Sequence, residues 1–236
     1  MDYISLREKR IMPLPLIEKS LDTETTGVDF NHGCFPYFVT MCDINGDILY
    51  WEWDVDPMTR IPQIPENDLE EIDEELSKCN RVVMQNARFD CKALKIANDL
   101  IRPKKLWTAP WSKIRDTLLA EHLLHSNQAK DLTTLAILYL HTNLAPLEDR
   151  MEECVKEAVK IAKAEFPEWR IAKRGDPSLP SAKNKVWKND TWLPRAVAIA
   201  KDYDKEHPWW TCTSDYANGD SASTIGIYKA QSQNLK

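Results

Sequence analysis

No apolar run in this 236-residue chain approaches the roughly 20 residues needed to cross a bilayer. Its opening stretch, MDYISLREKRIMPLP, carries charges where a signal peptide needs an apolar core. No membrane partner is therefore expected, and the protein is expected in a cytoplasm. The six cysteines, Cys34, Cys42, Cys79, Cys91, Cys154 and Cys212, are scattered and form no CxxC pair, so reduced, mostly buried thiols are expected instead of a disulfide framework. There is no GxxxxGK[ST], GxGxxG or GxSxG, which leaves the common nucleotide-binding and esterase signatures unrepresented. Basic excess is missing as well: the formal charge is −6, which argues against a broad, salt-sensitive grip on nucleic acid but not against holding a few nucleotides at a strand end. No internal repeat or low-complexity tract interrupts the chain, and a hydrophobic content of 43% is ordinary for a globular core.

What is present begins with LDTETTG, residues 21–27, where two carboxylates flank one threonine ahead of a turn. Side chains two apart on a strand share a face, with origins about 7 Å apart. Taken alone, a DxE is ordinarily a pair of solvated acids. The lead-in IEKS is polar, with Lys19 and Ser20 at positions where buried residues are expected, so the first strand is expected to be short or at a sheet edge. Beyond it, YFVTMCDI and DILYWEWDV read as two strands joined at Asn45-Gly46, a dipeptide suited to the positive φ angles of a tight hairpin. ENDLEEIDEELSKC has the spacing of an amphipathic helix with Leu69, Ile72 and Leu76 inward. RVVMQN reads as a buried strand, and the helix after it places Phe89, Leu94, Ile96 and Leu100 only approximately on one side. Asp116 and Asp131 are N-cap residue types opening the apolar helices DTLLAEHLL and DLTTLAILYL. Strands in a meander, then alternating with helices, imply a mixed sheet flanked by helices.

From Pro146 the character changes. LEDRMEECVKEAVKIAKAEF is a charged helix, and Arg170, Lys173, Arg174, Lys183, Lys185 and Lys188 form a basic, Pro-containing stretch. A further helix is expected from about Leu193 to Tyr203, then the aromatic HPWW, then a last helix from about Ser214. His122 and His125 lie three apart on an apolar helix without a third ligand nearby in sequence, so a metal pair is not expected there.

Two more carboxylates join the first pair. QNARFD brings Asn86 and Asp90 to the junction of a strand and a helix, and YANGDSAST sets Tyr216 and Asp220 at i and i+4, about 5–6 Å apart on one helix face. In order, DxE with a following TG, NxxxD and YxxxD resemble the three motifs of the DEDD-type 3′–5′ exonucleases. The tyrosine is similar to that of the subclass containing the proofreading domains of family A DNA polymerases and the RNase D-like enzymes. The resemblance covers about residues 21–140 and 216 to the end; residues 146–213 match nothing recognisable and read as a mainly helical, basic insertion within one domain spanning 1–236.

That resemblance implies an RNase H-like α/β fold and a phosphodiesterase that removes nucleoside monophosphates from the 3′ end of DNA. It also implies a single-stranded 3′ end or frayed primer terminus as partner, with a polymerase domain in the same or another chain. An RNA-trimming enzyme, or a non-catalytic domain binding nucleic acid or a protein, are the alternatives. Physical reasoning agrees about the ions: four converging carboxylates, Asp22, Glu24, Asp90 and Asp220, repel by roughly 4 kcal/mol per pair at 4 Å and an effective dielectric near 20. Hard oxygen ligands with little histidine favour two Mg2+ or Mn2+ over zinc. As the resemblance implies, Asp22 bridges both ions, Glu24 and Asp220 complete the one that carries the attacking water, and Asp90 holds the second. Tyr216, whose ordinary pKa is about 10, is expected to aim that water and not to act as base. Thr25, Val28, Gln85, Asn86 and Phe89 occupy positions that resemble those holding the terminal nucleotides. Trp209 and Trp210 are expected to pack, and the basic stretch is a candidate backbone tracker.

Overall fold

The computed structural model describes residues 16–169, 171–172, 185–186 and 191–234. Five strands form one sheet: β1 (Glu18–Thr25), β2 (Pro36–Asp43), β3 (Ile48–Glu52), β4 (Arg81–Met84) and β5 (Ile114–Asp116), in the order β3-β2-β1-β4-β5. β2 runs antiparallel to both neighbours, whereas β1, β4 and β5 are mutually parallel. With helices on both faces this is the RNase H-like α/β arrangement.

β1 is therefore the middle strand and eight residues long, not short or peripheral as its polar lead-in suggests. Each polar side chain there has a partner. Glu18 accepts from Arg81 at 2.7 Å and Tyr228 at 3.0 Å, and Lys19 pairs with Glu75 at 2.5 Å. Ser20, fully buried, bonds the Ser221 carbonyl at 2.7 Å and lies 2.8 Å from the Ser221 hydroxyl. The hairpin between β2 and β3 forms, but only Gly46 of Asn45-Gly46 takes positive φ, at 96°. Its amide donates to the Asp43 carbonyl while Asp43 N donates to the Asp47 carbonyl, the pattern of a type I turn closed by a glycine bulge.

On one face lie α1 (Glu66–Lys78) and α2 (Ala87–Ile101). Leu69, Ile72 and Leu76 of α1 are buried, as their spacing predicts, against Leu21, Val39, Met41, Val82 and Met84 of the sheet. α2 buries Ala87, Asp90, Cys91, Ala93, Leu94, Ala97 and Asn98. Leu94 is buried as expected, Ala87, Cys91, Ala93 and Ala97 keep the rest of the apolar stripe small, and Phe89, Ile96 and Leu100 lie beside it, half-buried.

The other face is covered by α7 (Pro208–Asn234), with α3 (Thr117–Leu124), α4 (Leu132–Leu140), α5 (Ala145–Glu165) and α6 (Trp192–Ala200) packed around it. Asp116 and Asp131 cap α3 and α4 through their carboxylates, as expected. α5 buries Met151, Cys154, Val155, Ala158, Val159 and Ala162, a regular helical stripe. With Leu193 and Val197 of α6, this stripe shares one core with Tyr37 and Phe38 of β2. α7 starts six residues earlier than Ser214: HPWW opens the helix, with Trp209 buried and Trp210 donating to the Tyr203 carbonyl at 2.8 Å. A separate two-stranded ribbon, β6 (Ile171–Ala172) and β7 (Lys185–Val186), falls inside the basic stretch. The rest of that stretch, including Arg170, Lys173, Arg174, Lys183 and Lys188, lies outside the described residues. All six cysteines are buried thiols outside any disulfide.

Candidate active site

Strand alternation on β1 turns Ser20, Asp22 and Glu24 toward α7, and Leu21 and Thr23 toward α1 and α2. The Ser20 to Ser221 contact draws α7 against β1, and one helical position earlier α7 carries Asp220. Asp22, Glu24 and Asp220 thus each offer a carboxylate oxygen, and the three oxygens lie within 4.8 Å of one another. Tyr216, one turn earlier on the same helix, hydrogen-bonds to Asp220.

Asp90 approaches from the opposite side of the strand. It is 2% exposed, and Thr23 Oγ1 donates to its Oδ1 at 2.8 Å. Its Oδ2 is sealed from solvent with no hydrogen-bond partner. Asp90 is not among the three clustered oxygens, yet its charge is felt by Glu24, and that of Asp22 by Asp90.

Electrostatics here run one way. Burial, opposed only by a hydrogen bond from the Thr23 backbone, pushes Asp22 up to about 6. Burial and then Asp22 push Asp220 up to about 8, against the Tyr216 hydrogen bond. Glu24 and Asp90 are raised well above the ordinary carboxylate range, first by burial and then by Asp22, with Asp220 and Asp90 adding to Glu24. Tyr216 is raised too, by burial and then by Asp220, Glu24 and Asp22, so it cannot supply a phenolate near neutrality. Among the described residues no lysine or arginine is among the groups that set the acidity of these carboxylates. Three clustered oxygens, an orphaned buried carboxylate oxygen beside them and no balancing cation fit hard divalent ions. The acidic cluster could hold a metal ion.

The expected nucleotide contacts divide. Thr25 is buried, its hydroxyl donating to the Gly27 carbonyl at 2.5 Å, while Val28 is 86% exposed. Asn86 is exposed in the left-handed region with φ of 64°, and the Asp116 carboxylate accepts from its backbone N–H at 3.2 Å. Phe89 is half-buried against Phe30, with ring centroids 4.8 Å apart. Gln85 is committed to the fold: its amide nitrogen donates to the Lys130 carbonyl at 2.7 Å, and its oxygen accepts from Thr117. His125 bonds Glu121 at 2.8 Å, and Trp209 and Trp210 pack, so none of the three joins the carboxylates.

Sequence reasoning missed two neighbours of the site. Glu148 of α5 is close enough to raise Asp220, and it lines a cavity of about 310 Å3 with Met151, Val155, Thr191 and Tyr216. In the sequence it is one acid of a crowded charged helix, with nothing to separate it from the solvated ones. Tyr37 is buried next to Glu24, which raises it after burial does, and its hydroxyl donates to Thr191 at 3.0 Å. It reads in the sequence as one more strand aromatic.

No family model matches the chain, and no curated protein matches it in sequence. Among solved structures it is similar to Brucella melitensis NrnC, at 14% identity and a TM-score of 0.38, over 93% of this chain and 85% of that one.

Proposed function

We propose that this protein is a 3′–5′ exonuclease that hydrolyses DNA from the 3′ end. Water attacks the terminal phosphorus, the bond from phosphorus to the 3′ oxygen breaks, and a nucleoside 5′-monophosphate and a shortened 3′-hydroxyl strand leave. The observation that carries this reading is the meeting of Asp22, Glu24 and Asp220 within 4.8 Å beside Tyr216 and the orphaned oxygen of Asp90.

Asp22 would hold both of two Mg2+ or Mn2+ ions, Glu24 and Asp220 one of them, and Asp90 the other. When bound, such a pair supplies charge stabilisation for an in-line displacement at phosphorus and lowers the pKa of water. The chain's own residues do the rest. Thr23 fixes Asp90 by a hydrogen bond, leaving its Oδ2 free to ligate. Tyr216 keeps its proton and donates a hydrogen bond to Asp220, and its oxygen is left to accept from the water, so it orients the water without removing a proton from it. Phe89 and Val28 offer apolar surface against the terminal nucleotides. The order of the three motifs supports a proofreading module of a family A polymerase, of phage type, or a freestanding relative, acting on a frayed primer end in a cytoplasm.

The test gives the purified chain a 5′-labelled DNA strand, its RNA equivalent and a mismatched primer-template, with Mg2+, Mn2+ or EDTA. A ladder shortening from the 3′ end of DNA, abolished by EDTA, is expected. Faster trimming of RNA moves the assignment to an RNase D-like enzyme, and binding without degradation to a non-catalytic domain.

A further inference from the structure

The face of α2 turned away from the sheet carries a row of cations in a chain whose net charge is −6. Arg88, Lys92 and Lys95 are exposed there at i, i+4 and i+7, a row about 10 Å long at 1.5 Å per residue. They form one side of a cavity of about 690 Å3 whose other side is Leu106, Trp107 and Trp111, and no acidic side chain lines it. Trp107 is held in place, its Nε1 donating to Asp73 Oδ1 at 3.0 Å. Trp111 and Leu106 are left 59% and 83% exposed, a high cost in apolar surface for side chains without a ligand. Lys95 shares its charge with Asp99 at 2.6 Å, but both are half-exposed, and such pairs open readily.

A row of cations opposite aromatic faces is the arrangement that tracks a single-stranded backbone while stacking its bases. One compact anion needs one cluster of cations; a row matches a chain of regularly spaced phosphates. The row is also tied to the site. Arg88 and Lys92 bracket Asp90 on the same two turns, and the Lys92 ammonium sits 5.1 Å from the centre of the Phe30 ring, which packs on Phe89. We infer that this cavity is a second binding site, taking nucleotides of a single strand several positions upstream of the end held at the carboxylates. The choice of ligand rests on the exonuclease reading; the site itself rests on its own residues.

Binding is measured by fluorescence anisotropy of a 5′-labelled ten-nucleotide DNA in EDTA, where the carboxylate centre is idle, so this readout is separate from that of the reaction. Lys95→Glu and Trp111→Ala are each expected to weaken binding about tenfold, and Lys92→Glu with Lys95→Glu to lower the slope of log affinity against log salt by about 1.4. In Mn2+, the same variants should lose at least tenfold more rate on the ten-nucleotide strand than on the p-nitrophenyl ester of thymidine 5′-monophosphate, too short to span both sites. Unchanged binding in folded variants, judged by unaltered circular dichroism melts, overturns the second site. So does weakening only for an acidic peptide probe and not for DNA. Normal, pocket-dependent binding with no hydrolysis of strand or ester instead overturns the exonuclease reading and leaves the site standing.

Discussion

Asp22 raises the pKa of every other acid in the cluster, of Asp90, and of Tyr216. A group so placed is where a cation gains most, because one ligand oxygen pair relieves several repulsions together. Asp22→Asn is thus expected to lower kcat on a labelled DNA strand by about 10³-fold or more, through lost ion binding. Tyr216→Phe removes one hydrogen bond to a charged group, worth about 1.5–3 kcal/mol, and is expected to cost only about 10- to 100-fold. The ranking is what matters: a larger loss from Tyr216→Phe than from Asp22→Asn contradicts a tyrosine that only orients. Spacing made Asp22, Glu24, Tyr216 and Asp220 legible, because period 2 on a strand and i, i+4 on a helix survive in one dimension. Glu148 and Tyr37 carried no such mark, since their relevance comes from long-range packing of α5 and β2.

The joint between β1 and α7 decides whether those carboxylates meet. A middle strand ordinarily presents large apolar side chains to its covering helix, but Ser20 and Ser221 meet instead, with the helix carbonyl accepting from the strand hydroxyl at 2.7 Å. Small side chains bring the backbones close, and Asp220 stands next to Ser221. The same economy explains why the polar lead-in to DxE reads as an edge strand: a buried serine looks exposed until its partner, 201 residues away, is known. The hairpin, α1 and the two Asp-capped helices were legible because their signals are local. Ser221→Leu overpacks this joint and is expected to destabilise by about 1–3 kcal/mol, lowering the melting temperature by roughly 2–4 °C per kcal/mol and activity with it. Ser221→Ala, which keeps the helix carbonyl bonded to Ser20, should cost no more than about 1.5 kcal/mol and retain activity. Equal effects of the two variants in thermal melts and strand digestion would mean that close approach at this joint is unimportant.

Over the whole chain, the site makes folding depend on pH in a direction opposite to that of five acids elsewhere in the fold. Asp43, Asp56, Glu75, Glu121 and Asp131 have lowered pKa values in the folded state, so what they contribute is present above about 4 and fades only as pH falls below it. Asp22, at about 6, and Asp220, at about 8, behave in reverse, with Glu24 and Asp90 shifted the same way. An unfolded carboxyl ionises near 4. Between that pH and about 8 the folded chain therefore holds protons that the unfolded chain has released, and stability falls as pH rises through this window. In EDTA, the melting temperature is expected to drop by several degrees from pH 5.5 to pH 8, and Asp22→Asn to flatten that drop. Divalent ions need the carboxylates ionised, so they compete with the protons, and their stabilisation grows with pH. Millimolar Mn2+ should consequently raise the melting temperature more at pH 8 than at pH 5.5. A melting temperature independent of both pH and Mn2+ over this range would show that the four carboxylates are neither crowded nor able to hold an ion, and the catalytic reading would lose its physical basis.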